Sequence, residues 1–150
     1  MNSRNVLMRL ISLTTLVTAL MFFFGARPER VQAYEDPNEK LMPMVGLAKG
    51  QTARLNMVNI GDPNLNPCEV QMVFYDSQGK ALASDVQKLD PGMATFLDLN
   101  YAAIGDPNVR VQIRSWVRVV VGDPTLCLAS LEVFDEETGR TTVFIGNPNQ

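Results

Sequence analysis

Arginine recurs at every fourth position through Arg110, Arg114 and Arg118, with Gln112 and Trp116 in the positions between. In an extended strand alternate residues share one face and stand about 6.7 Å apart. The five side chains therefore form one row, in which Trp116 can stack between Arg114 and Arg118. Such cation–π contacts contribute of order 0.5–1 kcal/mol when exposed. Arginine and tryptophan are also the residue types most enriched where proteins grip partners. The row can be a self-contained ladder over an exposed sheet, or a recognition surface for a protein or cell-surface component. The chemistry in either case is binding.

Catalysis finds little material. The chain has no histidine, which removes the commonest general base and the usual serine and cysteine relays. It also removes most catalytic metal sites. Asp135, Glu136 and Glu137 are consecutive acids beside Gly139, the composition of a solvated turn. No phosphate loop is present, because Gly61-Asp62-Pro63 lacks the further glycines and the lysine that such a loop needs. Met42 and Met44 share a face and could offer thioether sulfur to monovalent copper. Met72 and Met57 fall on apolar rows, where methionine fills gaps. Without histidine, no metal or other cofactor is expected, and the protein reads as a non-enzyme.

The N-terminus has a different composition. Arg4 and Arg9 precede an apolar run, Leu10 to Phe24, and Val31-Gln32-Ala33 places small residues where a signal peptidase would cut. About fifteen apolar residues are short for a membrane span, which needs about 20. Residues 1–33 are thus expected to be a secretory signal peptide, the chain's only engagement with a membrane. Retention as an uncleaved anchor is the alternative. Export places the protein in the periplasm, on the cell surface or outside the cell. Cleavage removes Arg4, Arg9, Arg27, Arg30 and Glu29 from 13 basic and 16 acidic residues, leaving 9 and 15 and a net charge of −6. That balance disfavours nucleic acid, whose binding rests on basic residues neutralising phosphates.

Cys68 and Cys127 are the only cysteines. In an oxidising compartment they are expected to form a disulfide. Free thiols are one alternative and a metal site the other, although two thiolates alone make a poor zinc site.

The acidic stretch 34–40 reads as a flexible leader, and 41–150 as one β-domain. Period-two alternation, the mark of half-buried strands, runs through Thr52–Ile60, Cys68–Tyr75, Ala81–Val86, Ala94–Leu99, Val109–Val121, Cys127–Phe134 and Arg140–Ile145. Leu41–Leu47 adds a short edge strand. Val109, Val111, Ile113, Val117 and Val119 face inward opposite the arginine row, and Ser115 among them suggests a bulge or a bend. Four corners, Gly61-Asp62-Pro63, Gly105-Asp106-Pro107, Gly122-Asp123-Pro124 and Gly146-Asn147-Pro148, end or begin strands because proline and glycine continue them poorly. Their spacing matches no calcium loop.

Seven short antiparallel strands predict an immunoglobulin-like β-sandwich. Strict reversal makes the second and sixth strands run the same way, so Cys68 and Cys127 both start their strands at one end. The segments Gly61–Pro67, Asp90–Gly92, Gly122–Leu126 and Gly146–Gln150 gather at that same end, a second candidate for binding.

Thr52-Ala53-Arg54-Leu55-Asn56-Met57-Val58-Asn59, the Leu89-Asp90-Pro91-Gly92 turn and the Cys127 strand ending in Glu132-Val133-Phe134-Asp135 resemble small exported bacterial proteins with an immunoglobulin-like sandwich domain. The resemblance implies fold and export, and brings no activity, cofactor or site residue with it. The expected function is a secreted or envelope-associated binding or structural module. A periplasmic assembly or chaperone-like protein that takes extended peptides by edge-strand addition is the alternative.

Overall fold

The computed structural model describes residues 36–64, 67–104 and 110–146. The proposed signal peptide, the Gly105–Val109 corner and the last four residues lie outside the described residues. Nine strands follow in order: β1 (Glu39–Leu41), β2 (Val45–Leu47), β3 (Gln51–Asn59), β4 (Cys68–Asp76), β5 (Ala81–Leu89), β6 (Ala94–Asn100), β7 (Val111–Val121), β8 (Cys127–Asp135) and β9 (Thr141–Ile145). A 3-10 turn, Tyr101–Ala103, follows β6.

Every pairing is antiparallel, and the strands form two sheets. The first has the order β1-β7-β4-β5, with β2 also on β7, and the second is β6-β3-β8-β9. The inward rows are those that alternation picks out. Cys68, Val70, Met72 and Phe74 from β4 face Ala53, Leu55 and Met57 from β3 and Ala129, Leu131 and Val133 from β8, all of them buried. Burying a large aliphatic or aromatic side chain contributes about 1.5–3 kcal/mol. These rows are therefore what holds the two layers together.

The disulfide joins Cys68 at the start of β4 to Cys127 at the start of β8, with Cα atoms 6.3 Å apart. It therefore crosses between sheets, as in an immunoglobulin-like sandwich. The strand order is its own. Counting from β3, the first strand here pairs with the sixth and the third with the second, whereas in immunoglobulin domains the first pairs with the second and the third with the sixth.

The edge differs from expectation in two ways. Pro43 has no N–H to give a ladder, and the anticipated Leu41–Leu47 strand is split into β1 and β2, both laid on β7. Between them the Met42 N–H still bonds the Ser115 carbonyl at 3.0 Å. Glu39 and Lys40, assigned from sequence to a flexible leader, belong to β1. Asp36 Oδ1 starts that strand by accepting the Asn38 N–H and side-chain amide, each at 2.9 Å.

Ser115 makes no bulge. It sits in register opposite Phe74, and the irregularity in β7 falls at its end, where Val70 pairs with Val119 and Glu69 with Val121. Val120 is the extra residue. The Ser115 hydroxyl is buried without a hydrogen-bond partner.

Lys40 faces the core. Its residue is 3% exposed, and its Nζ donates to the Cys127 carbonyl at 2.7 Å. The Ile60 N–H bonds the Leu126 carbonyl, so ladder alternation turns the next carbonyl, Cys127, away from β3 and toward the β9 side. The described pairing of β9 stops at Leu131. The lysine amine thus serves a carbonyl that the described part of β9 does not reach. Burial pushes its pKa below the usual lysine value of 10.5.

Candidate binding face

β7 lies inside the first sheet, between β1 and β2 on one side and β4 on the other, so its outward row is the centre of a face. Ile113, Ser115, Val117 and Val119 point inward and are buried. Gln112 and Arg118 are exposed on the opposite side, with Arg114 and Trp116 half-buried among their neighbours. Arg110, one residue before β7, is exposed and continues the row. The five residues read from sequence therefore do share one surface.

Their contacts run across strands, not along the row. Register places Glu39 and Gln71 on either side of Arg118, Leu41 and Val73 beside Trp116, and Tyr75 beside Arg114. The Trp116 indole N–H points to Glu39 Oε2 at 3.4 Å. Arg118 Nε lies 4.0 Å from the other oxygen of that carboxylate. Arg114 stacks on the Tyr75 ring, 5.5 Å from its centre, and its Nε is buried with no hydrogen-bond partner. Arg110 lies over β2, its Nη2 donating to the Gly46 carbonyl at 3.5 Å. A Cβ at Gly46 would fall 1.9 Å from Arg110 Nε, so the glycine is what lets this arginine lie flat.

The expected stack of Trp116 between Arg114 and Arg118 is thus replaced by Arg114 on Tyr75. Cross-strand neighbours about 4.5–5.5 Å apart reach each other more easily than residues two apart on one strand. Tyr75, Glu39 and Gly46 belong to this face and were missed from sequence, since nothing local tells which strands flank β7.

The arginine with the strongest pairing sits on the other sheet. Arg54 of β3 makes two hydrogen bonds to Asp98 of β6, at 2.7 and 2.8 Å. Its guanidinium lies 4.0 Å from the Phe96 ring centre and 5.1 Å from that of Phe134. The bond to Asp98 raises its pKa further.

Three of the four loop segments meet at one end, and the fourth, beyond Gly146, lies outside the described residues. The Asn59 N–H bonds the Met93 carbonyl, the Gly92 N–H bonds the Asn59 carbonyl, and the Ile60 N–H bonds the Leu126 carbonyl. Asn59 Nδ2 reaches the Leu89 carbonyl at 3.0 Å. Gly122, at φ +105°, packs where a Cβ would meet the Pro67 carbonyl at 3.0 Å.

The two corner aspartates among the described residues, Asp62 and Asp123, serve their own turns. Asp62 Oδ1 accepts the Asn64 N–H and amide, and Asp123 Oδ1 accepts the Thr125 N–H and hydroxyl. The Thr125 hydroxyl above all holds Asp123 below the usual carboxylate range. Asp135 is lowered likewise by Thr138. Its neighbour Glu136 bonds Thr52 Oγ1 at 2.6 Å and the Asn100 amide. No group of three histidine, cysteine, aspartate or glutamate residues is placed to hold a metal among the described residues. The two methionines considered for copper are separated by burial, Met42 being in the core and Met44 exposed.

No family model matches this chain, and no curated protein matches it. The crystal structure of Thermotoga maritima 1070 is similar, with a TM-score of 0.50 at 14% sequence identity, covering 73% of this chain and 91% of that one. At that identity the likeness concerns fold alone.

Proposed function

We propose that the protein is an exported, non-catalytic binding module whose working surface is the outer face of the first sheet. The residues that carry it are Arg110, Gln112, Arg114, Trp116 and Arg118, and the partner is a protein or another component of the cell envelope or surface. One observation supports this most. Among the described residues, Arg110 and Arg114 have no carboxylate within ion-pair distance, and Arg118 has one only at the 4.0 Å limit. A ladder built for stability would pair its charges, as Arg54 does with Asp98. Arginines held in place but unneutralised are available to a partner. Export is supported by the basic, apolar and small-residue order of residues 1–33, and a disulfide is consistent with it.

The test is capture from envelope and culture fractions with mature, oxidised protein beside the Arg114→Ala/Trp116→Ala double variant. A partner held by the wild type and released by the variant is the expected result. Equal capture by both would remove this face from consideration.

The second reading, edge-strand addition to extended peptides, is favoured by β9. Its sequence, Thr141-Thr142-Val143-Phe144-Ile145, has no charge, and Phe144 is 66% exposed. The other three edges carry common guards. Asp85 and Lys88 lie on β5, Asp98 lies on β6, and Pro43 divides β1 from β2. Ladder alternation turns the Phe144 N–H outward, so Phe144→Pro would abolish peptide capture under this reading and leave the arginine face unaffected.

A further inference from the structure

Resting on that reading of the face, we propose that its ligand is a linear acidic polysaccharide, one whose carboxylate or sulfate groups are separated by neutral sugar. The first observation is charge. The outer side of the first sheet carries Arg110, Arg114, Arg118 and Lys88 against Glu39 and Glu69, whereas the chain from Tyr34 onward is acidic overall. Glu39 accepts the Trp116 indole N–H at 3.4 Å and lies only at the 4.0 Å limit from Arg118. The face is therefore electropositive on an acidic molecule, which selects an anion and orients it.

The second observation is that two of the guanidiniums are held in place before any ligand arrives. Arg114 is laid on Tyr75 with its Nε enclosed, and Arg110 is laid on the backbone at Gly46. A guanidinium held this way loses little freedom when it takes a carboxylate or sulfate through two parallel hydrogen bonds.

The third is spacing. At about 3.3 Å per residue, Arg110, Arg114 and Arg118 stand roughly 13 Å apart and span roughly 26 Å along the row. A small anion could occupy only one of them. A chain could engage all three, provided its charges are sparse. A nucleic-acid strand carries a charge about every 3.4 Å, far denser than this row. Between the arginines lie Gln112, an amide suited to hydroxyls, and Trp116, an apolar ring suited to the C–H face of a sugar. At the Arg118 end a cleft of about 440 Å³ is lined by Asn38, Gln71, Arg118, Val119 and Val120. It adds two further amides beside the last guanidinium.

The experiment uses mature, oxidised protein and measures binding by calorimetry to hyaluronan, whose carboxylates alternate with neutral sugar, and to partly methyl-esterified polygalacturonate, in which neutral residues separate the charged ones. Fully methyl-esterified polygalacturonate, phosphatidylglycerol vesicles and single-stranded DNA serve as comparisons. The expected result is binding to at least one of the two acidic polysaccharides. That binding should weaken at least tenfold in Arg110→Gln and again in Arg114→Gln. Binding of the wild type should weaken as salt is raised, and less steeply in each variant, because screening acts on the charges that remain. Lys49→Gln, in an exposed turn, should change nothing. Circular dichroism confirms that each variant folds, and Arg110→Gln, whose side chain only lies on the surface, keeps the test informative if Arg114→Gln does not.

Absence of binding to both polysaccharides overturns the proposal. So does equal binding of the methyl ester, or arginine-dependent binding of vesicles or DNA as tight as that of the polysaccharides. If polysaccharides fail while the envelope capture still depends on Arg114 and Trp116, only the ligand class is wrong. If capture does not depend on them, the face itself is.

Discussion

Reduction of Cys68–Cys127 is the perturbation whose size can be worked most directly. The bridge spans a sequence separation of 59 residues. For a loop of that length the chain-entropy relation gives about 4 kcal/mol. It ties β4 of one sheet to β8 of the other, at the end where the Asn59, Gly92 and Gly122 segments meet. Domains of this size are stable by about 5–15 kcal/mol in total, so the loss removes a quarter of the stability or more. With a urea slope of about 1.5 kcal/mol per molar, the unfolding midpoint should fall by roughly 2.5–3 M. The assay is urea unfolding followed by tryptophan fluorescence and circular dichroism, with and without dithiothreitol. Cys68 is 1% exposed and Cys127 0%, so reduction in native buffer should be much slower than in urea. Reduced protein is the cleaner comparison, because a double alanine variant adds the cost of the space it leaves. Midpoints within about 0.5 M of each other, a difference of under 1 kcal/mol, would refute the reasoning. Equal reduction rates in native buffer and urea would show that the bridge is not enclosed.

Four other perturbations have defined outcomes. Because burial lowers the Lys40 pKa in the fold, the unfolded chain binds more protons in the alkaline range. Stability should rise as pH climbs toward 10.5, and Lys40→Met should flatten that rise in unfolding curves taken from pH 7 to 10. Ser115→Ala removes a buried hydroxyl with no partner and should stabilise by about 1 kcal/mol; a loss of that size would mean that the hydroxyl is hydrogen-bonded in solution. A double-mutant cycle of Arg54→Ala and Asp98→Ala should give a coupling of about 0.5–1 kcal/mol that shrinks in high salt, since both side chains are about one-third exposed. Asp76, Asp123 and Asp135 have pKa values lowered in the fold. The bonds responsible come first from the Lys80 N–H at Asp76 and from the threonine hydroxyls at the other two. The stability they contribute is complete above the unfolded value of 3.8 and is lost as pH falls through the lowered folded values. The triple asparagine variant should lose less stability on acidification, and an unchanged acid profile would contradict the assignment.

Strand positions and faces were legible because period-two alternation is a local property of the chain. The inward rows of β4, β7 and β8, the arginine row and the meeting of both cysteines at one end all follow from counting residues between turns. Strand order was not legible. Reversal at each turn says which way a strand runs and leaves open which sheet it joins. That choice depends on how whole apolar faces fill the space between the sheets. Hence β3 came to lie between β6 and β8, and β1 and β2 came to lie on β7. The consequences reached the candidate face directly. Trp116 and Arg114 look for partners sideways, so once β1 and β4 were placed as neighbours, Glu39 and Tyr75 replaced the stack expected along the row. Lys40 shows the same division. Its sequence context is acidic and polar, which reads as solvated leader, yet a three-residue pairing with β7 turns it into the core toward the Cys127 carbonyl. By itself the sequence determined where the seven longer strands lie and which side of the core strands is apolar, because adjacent bonds set both. Only the tertiary structure decided which strands touch, and therefore which charges are paired and which are left available, because those contacts join residues as far apart as Glu39 and Trp116.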